Sequence, residues 1–185
     1  QAVMGKSQAF VVEALEQIRK RLPFELRGID SDNGSEFINH HLHAYCQLQG
    51  IEFTRGRPYK KDDNAHVEQK NWTHVRRLMG YLRYDSPRAL ATMNDLYGSE
   101  LRSLQNLFLP SVKLMSKTRV GSRLRRRYDL PQTPLDRLLA CSGPKPPRLA
   151  ALRALRGRLD PFKVSAIVDR KLRTIHALSN VRHTP

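Results

Sequence analysis

The chain has 185 residues, 39% of them apolar, with 33 lysines and arginines against 17 aspartates and glutamates. This length suits one folded domain with appendages, and we expect no membrane protein, because the sequence lacks both a run of ~18 to 20 apolar residues and an opening secretion signal. Its two cysteines are far apart and outside any Cys-x-x-Cys motif, which favours unpaired thiols in the reducing cytoplasm.

Positive charge is concentrated in the second half of the chain. Residues 101–185 contain 19 basic and 4 acidic residues, a balance of +15, whereas residues 1–100 contain 14 and 13, a balance of +1. A surface of this kind attracts polyanions such as DNA, RNA or an anionic membrane. We therefore expect an ordinary folded front half and a back half that binds a polyanion.

The first predicted elements are a helix at about residues 8–21, with Ser7 as its N-cap, and a strand that begins near residue 24. The strand runs into Asn33-Gly34, a pair that tolerates positive φ and predicts a tight turn. Asp32 is thus predicted at the carboxyl end of a strand, where open α/β sheets bind their ligands.

A second helix is predicted at about residues 35–49, ended by Gly50, and a short strand at residues 51–54 follows. The helix concentrates residue types that bind zinc, namely His40, His41, His43 and Cys46. Two of these histidines are adjacent and no Cys-x-x-Cys motif completes a tetrahedral site. We therefore interpret the three histidines as solvated helix residues and Cys46 as a small core residue.

The loop at residues 55–63, RGRPYKKDD, combines four cations with one aromatic residue. The cations suit contacts to phosphates, and the tyrosine offers a face to an unstacked base. The candidate nucleic-acid ligands are Arg55, Arg57, Tyr59, Lys60 and Lys61. A solvated surface loop is the alternative.

A further helix is predicted from residue 65, with one stripe of residues at spacings of three and four: Ala65, Glu68, Trp72, Val75, Met79 and Leu82. Glu68 lies on this apolar stripe. A carboxylate that faces a core must be paired, protonated or bound to a metal. Alternatively, Glu68 complements the helix dipole and leans into solvent.

Beside the apolar stripe runs a second, mainly cationic one, formed by Lys70, His74, Arg77 and Tyr81. We predict that it faces a DNA strand. Together, Asp32 and Glu68 on separate elements make a half-site for a hard cation such as Mg²⁺. With a third carboxylate they can hold two ions about 4 Å apart, an arrangement suited to cutting a phosphodiester.

The remainder is predicted to contain a helix after Ser86-Pro87, a two-stranded ribbon at residues 113–129 that turns near Gly121, a helix at 133–139, and two helices at 149–156 and 161–178. The ribbon alternates polar and cationic residues, and we expect it to lie along a DNA backbone. Its candidate ligands are Lys117, Arg119, Arg123, Arg125 and Arg127.

Two of these motifs resemble the catalytic core of retroviral-type integrases and the related bacterial insertion-sequence transposases, the DDE branch of the ribonuclease H-like fold. The motifs are Asp32-Asn33-Gly34 after a strand and Asn64-x-x-x-Glu68-x-x-Asn71 on a helix. Asp32 and Glu68 are 68 − 32 = 36 positions apart, the spacing of that family's second Asp and its Glu. The resemblance covers roughly residues 5–140.

The resemblance implies an α/β, ribonuclease H-like fold and a transposase that uses Mg²⁺ or Mn²⁺ to cut DNA ends and transfer strands. Asp32 and Glu68 would be the catalytic metal ligands, and Asn64 and Asn71 would contact DNA, although Asn64 can equally be a helix N-cap. The implied partners are transposon ends, target DNA and further copies of the chain on DNA, in the bacterial cytoplasm.

One departure from the family pattern concerns its first catalytic Asp, which lies some fifty residues before the second, whereas 31 residues precede Asp32 here. Neither the helical Glu13 and Glu16 nor Glu25, on the same strand as Asp32, can replace it. We interpret the chain as a core that lacks its amino-terminal strands. The alternatives are a catalytically inactive fragment that binds DNA non-specifically and, with less support, an RNA-binding protein.

The expected organisation has four segments. They are a partial catalytic core at 1–109, a basic β-ribbon extension at 110–141, a linker at 142–147 and a basic helical tail at 148–185.

Overall fold

The computed structural model describes residues 1–5, 7–31, 40–57, 63, 65–142 and 147–180. The described residues form a mixture of helices and short strands, arranged in two compact units. Unit 1 comprises residues 1–95 together with the chain from residue 169 onward, and unit 2 comprises residues 96–168. The more specific ribonuclease H-like architecture stays a prediction.

The elements of unit 1 are α1 (Gln8–Arg21), β1 (Gly28–Ser31), α2 (His40–Leu48), β2 (Glu52–Arg55), α3 (Ala65–Asn71), a π-helical segment π1 (Trp72–Arg76), α4 (Arg77–Met79) and most of α5 (Pro87–Gly98). Those of unit 2 are the end of α5, α6 (Glu100–Ser103), a second π-helical segment π2 (Leu104–Phe108), β3 (Leu114–Val120), β4 (Arg123–Tyr128), α7 (Pro134–Ala140) and α8 (Arg148–Arg158). The last helix, α9 (Pro161–Ala177), begins in unit 2 and ends in unit 1.

Helix α1 has the predicted bounds. The Ser7 hydroxyl accepts a hydrogen bond from the backbone N–H of Phe10, which satisfies one of the free donors of the first turn. The helix ends at Leu22, just before Pro23, whose ring cannot continue it. Each signal acts on the backbone next to it, and the predicted start and end of α1 are confirmed.

Strands β1 and β2 pair in parallel, which confirms the two predicted strands and adds their relation. Ser31 lies opposite Arg55 at the carboxyl ends, and the backbone N–H of Gly56 donates to the Ser31 carbonyl at 3.1 Å. Parallel strands require a crossover connection, and α2 lies within it. Residues 32–39, the part of that connection before α2, fall outside the described residues.

A small core of unit 1 lies between α1, α2 and the two strands. Leu42, Cys46 and Ile51 are buried at its centre. The side chains packed around them are Val11, Val12, Leu15, Leu26, Ile29, Tyr45 and Phe53. Helices α1 and α2 therefore pack against the strand pair through their apolar side chains.

The end of α9 is part of unit 1. Ile175 is fully buried, the His176 Nε2 atom lies 2.9 Å from the Leu78 carbonyl oxygen, and Lys171 pairs with Asp95 at 2.6 Å. The segment predicted as a basic tail, residues 148–185, is thus divided between the units. Its apolar faces are used in packing, which a charge count alone does not reveal.

The core of unit 2 joins π2, α7 and α8 through Leu107, Leu135 and Leu149. Helix α7 begins with a capping box, in which Thr133 and Asp136 bond reciprocally. Arg156 of α8 also pairs with Asp136 at 2.6 Å. Helix α8 is consequently held to the rest of unit 2 by apolar and ionic contacts.

Strands β3 and β4 form the predicted antiparallel ribbon. Gly121, with φ of 62°, and Ser122 make the two-residue turn, a conformation that favours glycine. Among the described helices, none combines the length and the apolar content needed to cross a lipid bilayer.

Replacing Leu149 with Ala should lower the free energy of unfolding by about 2 to 5 kcal/mol, because the side chain is 4% exposed in the core of unit 2. The matched control is Leu130→Ala, the same change at a side chain that is 78% exposed, with an expected effect within about 0.5 kcal/mol. Urea denaturation measures both. Equal losses would show that α8 does not pack as described.

Candidate functional site

The carboxyl ends of β1 and β2 mark the sheet edge at which the sequence predicts the site. Ser31 and Arg55 lie side by side there, and Asp32 is the next residue after Ser31. Asp32 itself lies outside the described residues, as do Tyr59, Lys60, Lys61 and Asn64. Their predicted roles, and the predicted meeting of Asp32 with Glu68, therefore stay predictions.

Glu68 lies in the first turn of α3 and is exposed to solvent. The expectation that it faces the core is wrong, and the solvent-facing alternative is confirmed. An exposed carboxylate can bind a hydrated divalent cation without first being desolvated. The described residues do not include Asp32. Among them, no three His, Cys, Asp or Glu side chains are grouped as metal ligands.

The π-helical segment π1 explains why the predicted apolar stripe fails. The backbone N–H of Arg77 donates to the carbonyl of Trp72, five residues earlier. This turn contains one residue more than an α-helical turn, so it rotates the side chains on either side of it by about 100° relative to the expected pattern. Met79 is buried, but Trp72 is 57% exposed and Val75 is also exposed.

The inward face of this helical stretch contains Val67, Thr73, His74 and Leu78, all half-buried. Desolvation, with a smaller contribution from the charge of Lys70, lowers the pKa of His74 from its usual 6.5. His74 is therefore neutral at pH 7. The predicted cationic stripe loses this member, and Lys70 and Arg77 remain as exposed cations.

Arg76 and Tyr81 form a pair that the sequence analysis missed. The Arg76 guanidinium lies over the Tyr81 ring, 4.7 Å from its centroid, and the tyrosine is 76% exposed. Such cation–π contacts hold an aromatic ring in place. Exposed Trp72 and Tyr81 are thus two aromatic faces available for stacking on unpaired bases. Asn71, the last residue of α3, is exposed as well.

Arg57 and Asp63 form a forked ion pair. The Arg57 Nε and Nη2 atoms donate to Asp63 at 2.8 and 3.0 Å, and the Arg57 backbone N–H donates to the same carboxylate at 3.0 Å. These bonds hold the pKa of Asp63 at about 2. The charge of Arg57, predicted to bind phosphate, is therefore already balanced, whereas Arg55 is exposed and has no ion pair among the described residues.

The ribbon carries the densest positive charge of the described chain. Residues 114–128 contain six cations and no acid, and every residue of both strands is exposed. Five of the cations are the predicted Lys117, Arg119, Arg123, Arg125 and Arg127. The sixth, Arg126, was not predicted because it falls between Arg125 and Arg127, outside the alternating pattern of that strand.

The open end of the ribbon is fastened by Asp129. Its carboxylate accepts from Arg137 at 2.5 Å and from the backbone N–H of Lys113 at 2.5 Å. These donors, Arg137 first, lower the pKa of Asp129. Arg137 also donates to the Ser111 carbonyl at 2.6 Å. One guanidinium thus joins α7 to the segments before β3 and after β4, at the open end of the ribbon.

No family model matches the chain. It is similar to the uncharacterized protein y4rM of Sinorhizobium fredii (strain NBRC 101917 / NGR234), with 45% identity over 135 residues. The match covers 73% of this chain and 38% of that protein. The chain thus spans well under half the length of this relative.

The Asp63 carboxyl should titrate with a pKa of about 2, against 3.8 for an unpaired aspartate. A lowered folded-state pKa means that the ion pair stabilises the loop fully above pH 3.8, and that this stabilisation is lost as the pH falls from 3.8 towards 2. Carboxyl NMR titration measures the pKa, and Arg57→Gln should raise it. A wild-type pKa near 3.8 would contradict the ion pair.

Trp72 is the single tryptophan of the chain, so its fluorescence reports directly on this surface. We expect quenching by single-stranded DNA, and Trp72→Ala should weaken binding by about 1 to 3 kcal/mol, roughly 5- to 150-fold in Kd, with little change in stability. The control is Phe162→Ala, another exposed aromatic residue. Unchanged fluorescence on binding would remove Trp72 from the interface.

Proposed function

We propose that this chain is part of a DNA transposase of the integrase type, which cuts transposon ends and joins the freed 3′-hydroxyl to target DNA. The observation that carries the proposal is the pair of motifs around Asp32 and Glu68, 36 positions apart. Two features of the structure support it. Asp32 directly follows a strand of a parallel pair, and Glu68 is an exposed carboxylate at the start of a helix.

The donor chemistry of Glu68 fits a divalent cation. Its carboxylate is an oxygen ligand open to solvent, as a hydrated Mg²⁺ or Mn²⁺ requires. Bound ions of this kind would supply activation of the attacking oxygen and stabilisation of the leaving oxygen of a phosphodiester. Asp32 is the second proposed ligand. Both carboxylates would orient the scissile phosphate by holding the ion beside it.

The surface around Glu68 suits a DNA strand. Lys70 and Arg77 place positive charge on the exposed side of the same helical stretch, and Trp72 and Tyr81 add aromatic faces. Cations attract the phosphates, while rings stack on bases that leave the duplex.

The second candidate function is DNA binding without catalysis. It is favoured by the ribbon, where six exposed cations occur among residues 114–128 without any carboxylate that could bind a metal. Binding of this kind depends on phosphate contacts and weakens steeply with salt. RNA is also a polyanion, but an RNA-binding role leaves the spacing of Asp32 and Glu68 unexplained.

Asp32→Asn and Glu68→Gln, made in the full-length native polypeptide, should each reduce strand transfer by about 10³-fold or more, as losses of catalytic groups commonly do. DNA affinity should stay nearly constant, because removing one charge barely alters so basic a surface. A gel assay of DNA joining with Mg²⁺ measures the first effect, and a filter-binding assay measures the second.

The matched control is Glu52→Gln, the same change at an exposed carboxylate on β2. It should join DNA at the wild-type rate. Wild-type joining by either the Asp32 or the Glu68 variant would reject the transposase assignment. Binding without any cleavage by the unmodified polypeptide would favour the second candidate.

A further inference from the structure

The pairing register divides the ribbon cations between two faces. Successive residues of a strand point to opposite sides of a sheet, and residues directly opposite on paired strands share a side. Ser116, Thr118 and Val120 lie opposite Arg127, Arg125 and Arg123. We call this side the arginine face. Lys117 and Arg119 lie opposite Arg126 and Leu124 on the other side, which we call the mixed face.

Both faces are open to solvent and both keep their charge. No residue of β3 or β4 is buried, so neither face contributes to a core. Among the residues that the structure describes, none of the six ribbon cations belongs to an ion pair. The two nearby acids, Asp129 and Asp136, are engaged by Arg137 and Arg156. Each face therefore presents three uncompensated positive charges.

The ribbon repels itself in the free protein. Lys117 lies directly opposite Arg126, and like charges in that position destabilise a strand pair. On the arginine face, Arg123, Arg125 and Arg127 follow one another at intervals of about 6.8 Å. A two-stranded ribbon without a core is only marginally stable in water. A polyanion on each face would remove this repulsion.

The length of the arginine face matches a stretch of DNA backbone. From Arg123 to Arg127 the arginine face extends over about 13 Å, which corresponds to about four phosphates of one DNA strand at ~3.4 Å of axis each. A duplex lying along one face contacts three cations and leaves the other three directed away from it. One duplex along one face thus neutralises only three of the six ribbon cations.

We propose that the ribbon bridges two DNA duplexes, one along the arginine face and one along the mixed face. The inference rests on the proposed function only in taking DNA as the polyanion. It adds a role that the motifs around Asp32 and Glu68 do not contain: the ribbon holds two DNA segments together before any bond is cut.

The experiment uses the full-length polypeptide in EDTA, so that no strand is cut. One duplex is immobilised on beads, and a second, fluorescent duplex of unrelated sequence is offered in solution. Two variants remove three charges each, namely Arg123→Gln/Arg125→Gln/Arg127→Gln and Lys117→Gln/Arg119→Gln/Arg126→Gln. The matched control, Arg153→Gln/Arg158→Gln/Lys163→Gln, removes three exposed charges elsewhere in unit 2.

We expect the wild-type protein and the control to capture the second duplex, and each face variant to lose at least about ten-fold of that capture. Each face variant should still bind a single duplex, since the opposite face remains. The charge-conserving Arg123→Lys/Arg125→Lys/Arg127→Lys variant should capture like wild type, because a phosphate contact requires charge and not a guanidinium. This variant also excludes a folding defect as the cause of lost capture.

Three results would overturn the proposal. The first is that wild-type protein binds one duplex but captures no further duplex. The second is that a face variant captures the fluorescent duplex as well as wild type does. The third is loss of single-duplex binding in both face variants, the result expected if the ribbon is inserted into one groove. Joining activity in the Asp32→Asn variant would reject the catalytic assignment and leave bridging intact, so the two failures are distinguishable.

Discussion

The contact that fixes the ribbon to the rest of unit 2 is the one between Asp129 and Arg137. It is the point where a ribbon without a core is attached to a part of the chain that has one. Arg137 belongs to α7, which is packed through Leu135, and Asp129 also binds the Lys113 backbone at the start of the ribbon. A strongly basic arm can be tolerated here because its open end is fixed by a charged, multiply bonded pair.

The acids of unit 2 are used inside the unit. Asp129 binds Arg137, Asp136 binds both Thr133 and Arg156, and Asp160 caps α9 by accepting from backbone N–H groups. The positive charge on the ribbon is therefore not neutralised by these acids. The carboxylates that might have neutralised it hold the fold instead, and among the described residues none of the six ribbon cations belongs to an ion pair.

Local signals made much of the fold predictable. Ser7 and Pro23 define α1, the Gly121 turn defines the ribbon, and Asp160 begins α9, because each acts on the backbone within a few residues. The π-helical segment could not be foreseen, since a single additional residue in one turn leaves the apolar spacing of the sequence unchanged. As a result, Glu68 and Trp72 are exposed to solvent, although both were predicted on the apolar stripe.

Contacts between side chains were equally hidden. The pairing of Arg57 with Asp63, the partial burial of His74 and the packing of α8 all depend on which side chains meet after folding. Composition indicated a basic second half but not that its helices have buried faces. The candidate carboxylates were found from a motif resemblance, and only the environment of Glu68 has a structural description.

The self-repulsion of the ribbon gives ionic strength two opposite effects on this protein. At physiological salt the Debye length is about 8 Å, close to the spacing of neighbouring cations on one face, so added salt relieves strain within the free ribbon. In the proposed complex with DNA, the same salt would compete with phosphates for those cations. Salt would thus stabilise the unliganded hairpin while weakening the proposed binding, and dilution into low salt would do the reverse.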